Sequence, residues 1–161
     1  MMQYRWAAHI VGGVGGTILL TTLMSAARGL RLTRISIPFM VGTLFTSNRD
    51  RAQWIGILVH LINGYLLVFL YFGSFFVHPV EHYWLFGAGI GLLHGLFVLS
   101  VGMSILPSIH PRMATERRGP TPTRLLEPPG FLALHYGRGT PVVTVIAHVR
   151  YGAVLGVCFG S

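Results

Sequence analysis

Four long apolar segments alternate with polar segments along the chain. The apolar segments are residues 6–27, 54–76, 83–106 and 140–160. Each is close to the length of about 20 apolar residues that an α-helix needs to cross a bilayer. A short link, 77–82, joins the second and third segments, and the longer loops 28–53 and 107–139 join the others. The pattern predicts an all-α integral membrane protein: a four-helix bundle that forms one membrane domain over residues 1–161.

The two halves of the chain share an order of features. In each half an apolar segment is followed by an arginine-containing loop, a short apolar patch (35–45 or 130–136) and a helix with His-x-x-x-Gly, at His60 and at His148. Each patch is too short to cross a bilayer, and six prolines between 107 and 129 exclude a long helix before the second. The order predicts a tandem two-helix repeat whose copies have the same orientation.

The charged residues indicate an orientation and exclude one class of partner. All 12 basic residues are arginines, the net charge is +8, and only 10% of residues are charged. Ten arginines lie in the two long loops, five in each. The positive-inside rule therefore predicts that both loops are cytoplasmic and both termini outside. Because the arginines are dispersed over membrane loops, we expect no nucleic-acid site.

Two features near the termini add little to this prediction. The first apolar segment is longer than the hydrophobic region of a secretion signal, so we expect it to be retained as a membrane helix. Cys158 is the only cysteine, which excludes an internal disulfide and a multi-thiolate zinc site.

Glycines recur at every fourth residue in three of the predicted helices. This spacing places them on one face, where small residues allow helix backbones to approach closely in lipid. We expect them to pack helices within the bundle and to dock the bundle onto other membrane subunits or a second copy. The residues are Gly12, Gly16, Gly87, Gly91, Gly95, Gly152, Gly156 and Gly160.

Each predicted span also carries one histidine that lies three or four residues from a glycine of the same span: His9, His60, His94 and His148. Counted at 1.5 Å per residue, His60 and His148 lie at similar depths, roughly 9 Å and 12 Å from the cytoplasmic ends. Level histidines on different helices, with glycines beside them, are what two-imidazole ligation of haem b requires. His60, His148 and His94 are therefore candidate cofactor ligands. The alternative is that each imidazole donates one hydrogen bond between helices.

Arg150 lies about ten residues into the last span, whereas all four acidic residues lie outside the spans. At roughly 15 Å from the cytoplasmic end it is too deep to reach the interface easily. We expect it to pair with backbone carbonyls, a lipid phosphate, a cofactor such as a quinone or haem propionate, or an acidic residue of another subunit. It joins the histidines as a candidate cofactor-binding residue.

The link between the second and third spans contains His78-Pro-Val-Glu81-His82, which matches the H-x-x-E-H letters of a zinc protease. A link of six residues is too short for the helix which that motif requires. A surface metal site formed by His9, His78 and His82 remains an alternative.

Two segments carry a resemblance. Ile37-Pro-Phe-Met-Val-Gly-Thr-Leu-Phe and Ala147-His-Val-Arg-Tyr-Gly-Ala-Val-Leu-Gly156 resemble a broad group of uncharacterised small four-span bacterial membrane proteins. The resemblance implies a four-span fold in a bacterial cytoplasmic (inner) membrane, and it implies no catalytic residue.

The sequence contains no nucleophile–base pair, paired carboxylates or phosphate-binding loop in a suitable context, so it does not predict an enzyme. The first interpretation is a non-catalytic subunit that packs through its glycine faces into a larger membrane complex, for example an energy-converting one. The alternative is a b-type haem or quinone-binding redox protein that uses the intramembrane histidines. A small transporter is the third.

Overall fold

The computed structural model describes residues 6–115, 117–124 and 126–160. Its helices are α1 (Trp6–Gly29), α2 (Ile37–Gly42), α3 (Arg49–Val77), α4 (Tyr83–Phe97), α5 (Met103–Ile109) and α6 (Thr140–Gly160), with a π-helical segment at Val98–Gly102 and a 3-10 segment at Phe131–Tyr136. The described residues form no strand beyond two isolated β-bridges. The predicted all-α four-helix fold is confirmed. The N-terminal charge at Arg5 and the loop acid Glu116 lie outside the described residues.

Among the described residues, four helices are long and apolar enough to cross a membrane. They are α1, α3, α6 and a third span, Tyr83–Ile109, in which α4 continues through the π-helical segment into α5. Each predicted apolar segment lies within one of them. Their outer surfaces carry large exposed apolar side chains such as Val11, Leu70 and Leu93. A lipid bilayer is the environment in which such a surface is stable, so the chain is an integral membrane protein.

The ends of the helices follow local capping chemistry. The Asn48 side chain accepts a hydrogen bond from the Arg51 amide at 2.9 Å and begins α3. Ser36 accepts from the Phe39 amide at 3.4 Å and begins α2, which has a proline in its first turn. The third span continues past Pro107 and ends at Ile109, slightly beyond the predicted end at residue 106. A proline in the last turn removes only one backbone hydrogen bond, so the helix can continue for two more residues.

The four spans are arranged in the order α3, α1, α6 and α4 around the bundle, with α4 packed most closely on α6. The remaining side, between α3 and the third span, has little contact along its length. The short helix α2 packs on α3, where a Cβ atom on Gly56 would overlap the Pro38 carbonyl oxygen. The bundle is therefore closed on three sides and only loosely closed on the fourth.

The predicted packing glycines all lie at contacts of α6 with α4 or α1. A Cβ atom on Gly152 would overlap the Gly87 carbonyl oxygen, and one on Gly91 would overlap the carbonyl oxygen of His148. Gly95, Gly156 and Gly160 lie at the same contact, against His148 and Tyr83. On α1, Gly12 and Gly16 face Leu155 and Tyr151. These glycines are thus used within one chain, which explains how α4 and α6 approach so closely.

The two arginine-containing loops meet at one end of the bundle. The Thr33 and Thr140 hydroxyls are hydrogen-bonded at 2.7 Å, and the Arg34 amide donates to the Tyr136 carbonyl at 2.7 Å. Arg112 Nη1 donates to the Thr43 carbonyl at 2.9 Å. The ten loop arginines therefore lie at the same end, opposite the short link between α3 and α4.

Candidate functional site: a histidine-lined cavity

A cavity of about 240 Å³ lies within the membrane-spanning part of the bundle. All four spans and α2 contribute to its wall, which is largely apolar. Its polar lining residues are His60, Asn63, His94, Thr17, Thr144, His148 and Tyr151. Three of the four predicted intramembrane histidines are thus brought to one cavity.

The cavity communicates with the surface on the loosely closed side of the bundle. Asn63 of α3 lines the cavity and is exposed, and α3 has little contact with the third span along its length. The opposite wall is formed by the third span, including Val98 and Gly102. An opening between two spans at this depth faces lipid, so a molecule dissolved in the bilayer can reach the cavity.

The π-helical segment of the third span shapes this opening. Its first and last residues, Val98 and Gly102, both line the cavity. A Cβ atom on Gly102 would meet no other atom within 4 Å, so this glycine leaves space unfilled. Short π-helical insertions widen a helix locally and occur often at functional sites.

Two of the histidines lie against each other. The rings of His94 and His148 have centroids 4.8 Å apart and planes inclined at 77°. His148 Nδ1 donates to the Thr144 carbonyl at 2.8 Å, because a carbonyl only accepts. His94 Nδ1 is 3.1 Å from the Tyr71 hydroxyl, which is the donor if Nδ1 of His94 is unprotonated. One nitrogen of each ring is therefore engaged, which fixes how the ring is turned.

Two other polar atoms at the cavity are buried and have no hydrogen-bond partner among the described residues: Nε2 of His60 and Oγ1 of Thr144. Thr144 is only 2% exposed. In contrast, the Tyr151 hydroxyl donates to the Gly64 carbonyl at 2.6 Å. A buried polar atom left without a partner costs about 1–3 kcal/mol. The pair therefore points to an occupant with a polar group.

The size of the cavity favours an occupant smaller than haem. A cavity of about 150 Å³ can hold a benzene molecule, whereas pockets for drug-sized ligands occupy roughly 300–1,000 Å³. At about 240 Å³ the histidine cavity fits one substituted ring. The haem macrocycle is larger than this cavity, and the contact between the His94 and His148 rings leaves no space for it between those two histidines. At the predicted ligand pair, His60 and His148, it is the volume of the cavity that disfavours haem.

Arg150 does not join this cavity. It lies two residues after His148, which corresponds to about 200° around an α-helix, and its side chain is exposed on the outer face of α6. No described residue lies within hydrogen-bond or ion-pair distance of its guanidinium group. Among the described residues, therefore, neither a histidine nor a backbone carbonyl pairs with Arg150.

The residues of the predicted metal site are not brought together. His9 is buried in α1, where its Nε2 donates to the Tyr65 carbonyl at 3.2 Å and its ring packs against Phe69. His78 and His82 are exposed at the link between α3 and α4. In the part of the chain that the structure describes, no three His, Cys, Asp or Glu side chains are placed to hold a metal ion.

Sequence reasoning missed Thr144 and the π-helical segment. Thr144 lies four residues before His148 and therefore on the same helix face, a signal that was present in the sequence. Nothing in the composition of residues 98–102 distinguishes a π-helical from an α-helical segment.

No protein-family model, curated protein or solved structure matches the chain. The resemblance to small four-span bacterial membrane proteins therefore stays a prediction.

Proposed function

We propose that this membrane protein binds a lipid-soluble molecule with one polar-substituted ring, of the quinone class, in the histidine-lined cavity. The observation that carries the proposal is the pair of buried, unpartnered atoms, His60 Nε2 and Thr144 Oγ1, at an otherwise apolar cavity. The sequence analysis left a b-type haem or quinone-binding redox protein as the alternative interpretation, and the proposal takes its quinone-binding form.

The chemistry of a quinone matches the cavity. Its carbonyl oxygens accept hydrogen bonds, which the Thr144 hydroxyl can donate and which His60 can donate when its Nε2 is protonated. The apolar part of the ring lies against side chains such as Leu20, Met24 and Met103. A quinone resides in the bilayer, and the opening between α3 and the third span faces the bilayer.

Binding of a short-chain benzoquinone to the full chain in lipid nanodiscs tests the proposal. Thr144→Val keeps the shape of the side chain and removes the hydroxyl, so affinity should fall about two- to tenfold, the equivalent of one hydrogen bond. Thr22→Val is the matched control because Thr22 is exposed on α1 and does not line the cavity. Equal affinity of wild type and Thr144→Val, or no binding to wild type, would refute the proposal.

An absorption spectrum separates the quinone from haem. Protein extracted gently from its native membrane should show no Soret band before or after reduction with dithionite. A Soret band that disappears in His60→Ala or His148→Ala would identify a b-type cytochrome instead.

The exposed Arg150 favours a second candidate function, that of an accessory subunit of a larger membrane complex. An arginine at the centre of a spanning helix costs about 2.5–3.5 kcal/mol in lipid unless it is paired. All four acidic residues of the chain lie outside the predicted spans, so a second copy offers no carboxylate at that depth. The partner would be another membrane protein with an intramembrane Asp or Glu.

Co-purification after mild extraction tests this candidate. Arg150→Leu should release stoichiometric partners that wild type retains, because leucine cannot pair with a carboxylate. Arg138→Leu is the control, since Arg138 is an exposed loop residue. Partners that remain bound to Arg150→Leu would contradict the subunit hypothesis without affecting the quinone proposal.

The position of the arginine loops supports an orientation with both loops in the bacterial cytoplasm and both termini outside. In a Cys158→Ser background, a membrane-impermeant maleimide applied to intact cells should label Val80→Cys at the link and spare Ser47→Cys in the first loop. The reverse labelling would contradict this orientation.

A further inference from the structure

A second site lies at the arginine end of the bundle, and of its lining residues only Met103 is shared with the histidine-lined cavity. An open cleft of about 660 Å³ is found where the third span ends and meets the loop 107–139. One wall comes from α5 and the other from the loop and the 3-10 segment. The polar residues that line this loop cleft are Ser104, Ser108, Thr115, Arg117, Arg118 and His135.

The loop cleft carries positive charge that no described residue neutralises. Arg117 and Arg118 are exposed, and neither guanidinium has a hydrogen-bond or ion-pair partner among the described residues. None of the described residues lining the loop cleft is acidic, and Glu116 lies outside the described residues. The site is therefore complementary to an anion.

A neighbouring cleft at the same end shows the contrast. Its volume is about 580 Å³, and it contains Arg28, Arg34 and Arg49 together with the acidic Asp50 and Glu127. Arg34 and Glu127 form an ion pair at 2.8 Å. Its arginines are partly compensated by these acids, whereas those of the loop cleft have no acidic partner among the described residues.

Apolar side chains lie directly beside the arginines of the loop cleft. Phe131 lines the loop cleft and is 70% exposed, and Met103 lines it from the start of α5. Because α5 is the end of a membrane-crossing span, these side chains lie where the acyl chains of a lipid begin. A charged site with an apolar edge at this depth suits an amphiphile better than a soluble anion.

We propose that the loop cleft binds an anionic phospholipid, with the headgroup phosphate at Arg117 and Arg118 and an acyl chain against Phe131. Arginine binds phosphate oxygens through several N–H donors, and the threonine and serine hydroxyls supply further donors. Basic pockets at the ends of spans are suited to anionic headgroups for the same reason.

Native mass spectrometry of the detergent-solubilised full chain tests the site, with phosphatidylglycerol or phosphatidylcholine added at equal concentration. Wild type should retain phosphatidylglycerol in preference to phosphatidylcholine. Arg117→Gln/Arg118→Gln should weaken this retention about 25-fold, since each arginine near an anionic lipid contributes roughly fivefold. The matched control Arg51→Gln/Arg138→Gln removes the same charge from exposed residues outside the loop cleft and should change retention little.

Phe131→Ser tests the apolar contact with the acyl chain separately, because it should weaken retention of the lipid while both arginines remain. Equal losses in the two double variants would show diffuse charge attraction and would overturn the site. Equal retention of the two lipids would overturn it as well. Displacement of the lipid by an equal concentration of inorganic phosphate would identify a site for a soluble anion and refute the lipid assignment.

Discussion

The bundle has one side where backbones touch and another where only side chains touch. Between α4 and α6, Gly87, Gly91 and Gly152 bring carbonyl groups of one helix against Cα atoms of the other. Between α3 and the third span the contacts are made by side chains, for example the Tyr71 hydroxyl with His94 and the Phe75 ring with Phe86. The histidine-lined cavity lies on this second side.

The difference shows how a small membrane bundle can be stable and still contain a cavity. In lipid the hydrophobic effect between helices is weak, so close backbone packing supplies much of the stability. The glycine contacts with α6 hold α1 and α4 in place and do not depend on the loosely closed side. Side-chain contacts there can leave space, and polar groups can remain available to a ligand.

The largest effect is expected from filling the glycine contact. Gly152→Ala places a methyl group against the Gly87 carbonyl oxygen. Because this oxygen belongs to the backbone of α4 and cannot rotate away, the two helices must move apart. We expect a loss of about 3 kcal/mol of unfolding free energy. Thermal or denaturant unfolding in detergent, followed by circular dichroism, measures it.

Gly89→Ala is the control for this substitution. Gly89 lies in α4, and a Cβ atom there would meet no other atom within 4 Å. This variant should be stabilised by about 0.5–1 kcal/mol, since alanine loses less backbone entropy than glycine in a helix. Equal destabilisation by the two variants would remove the distinction between the two sides of the bundle.

A smaller effect is expected from the hydrogen bond that crosses the cavity. Tyr151 of α6 donates to the Gly64 carbonyl of α3 at 2.6 Å and lines the cavity. Tyr151→Phe should cost about 0.5–1.5 kcal/mol of unfolding free energy. Tyr65→Phe should change it little, because the Tyr65 hydroxyl has no hydrogen-bond partner among the described residues. Equal costs would contradict a bridging role for Tyr151.

The smallest effect concerns His110, which joins the end of α5 to α2 beside the cavity. Its Nε2 donates to the Met40 carbonyl at 3.0 Å, and its Nδ1 accepts from the Arg112 amide at 3.1 Å, so the folded structure holds the neutral ring. Burial, with a smaller contribution from the Arg112 charge, lowers the pKa of His110 below its ordinary value of 6.5. On acidification the unfolded chain therefore takes up the proton at a higher pH than the folded protein does. The unfolding free energy decreases as the pH falls through 6.5 toward the lower pKa of the folded state.

The His110 contribution should amount to at most about 0.7 kcal/mol of unfolding free energy between pH 7 and pH 6. Comparing the unfolding of wild type with that of His110→Gln at the two pH values isolates it from other titrating groups. A wild type that loses no more stability on acidification than the variant does would contradict a neutral, buried His110.

Much of the fold could be predicted because each span is dictated by local composition. Long apolar runs specify helices in lipid, and glycines at every fourth residue identify the close contacts. The gathering of His60, His94 and His148 could not be read from the sequence, since it depends on which helices are neighbours. The sequence order of the spans does not reveal that α6 lies between α1 and α4.

The candidate site shows the same limit. Helical spacing alone separates Arg150 from His148, so its exposed position could have been derived from the sequence. Thr144 Oγ1 has no hydrogen-bond partner among the residues that the structure describes, and Gly102 has free space beside it; both features arise from packing among three or more elements. No pattern along one helix contains that information.

The most direct test of the ligand site is a substitution that fills the histidine-lined cavity from the loosely closed side of the bundle. Gly102→Leu adds a side chain to the cavity wall at a position where the structure has space, and Gly89→Leu adds the same side chain at an open position outside the cavity. If the histidine-lined cavity binds a short-chain benzoquinone in nanodiscs, Gly102→Leu should bind it at least about tenfold more weakly, a loss of roughly 1.4 kcal/mol. Gly89→Leu should bind it with near wild-type affinity. Unchanged binding to a folded Gly102→Leu protein would contradict a ligand site in the histidine-lined cavity.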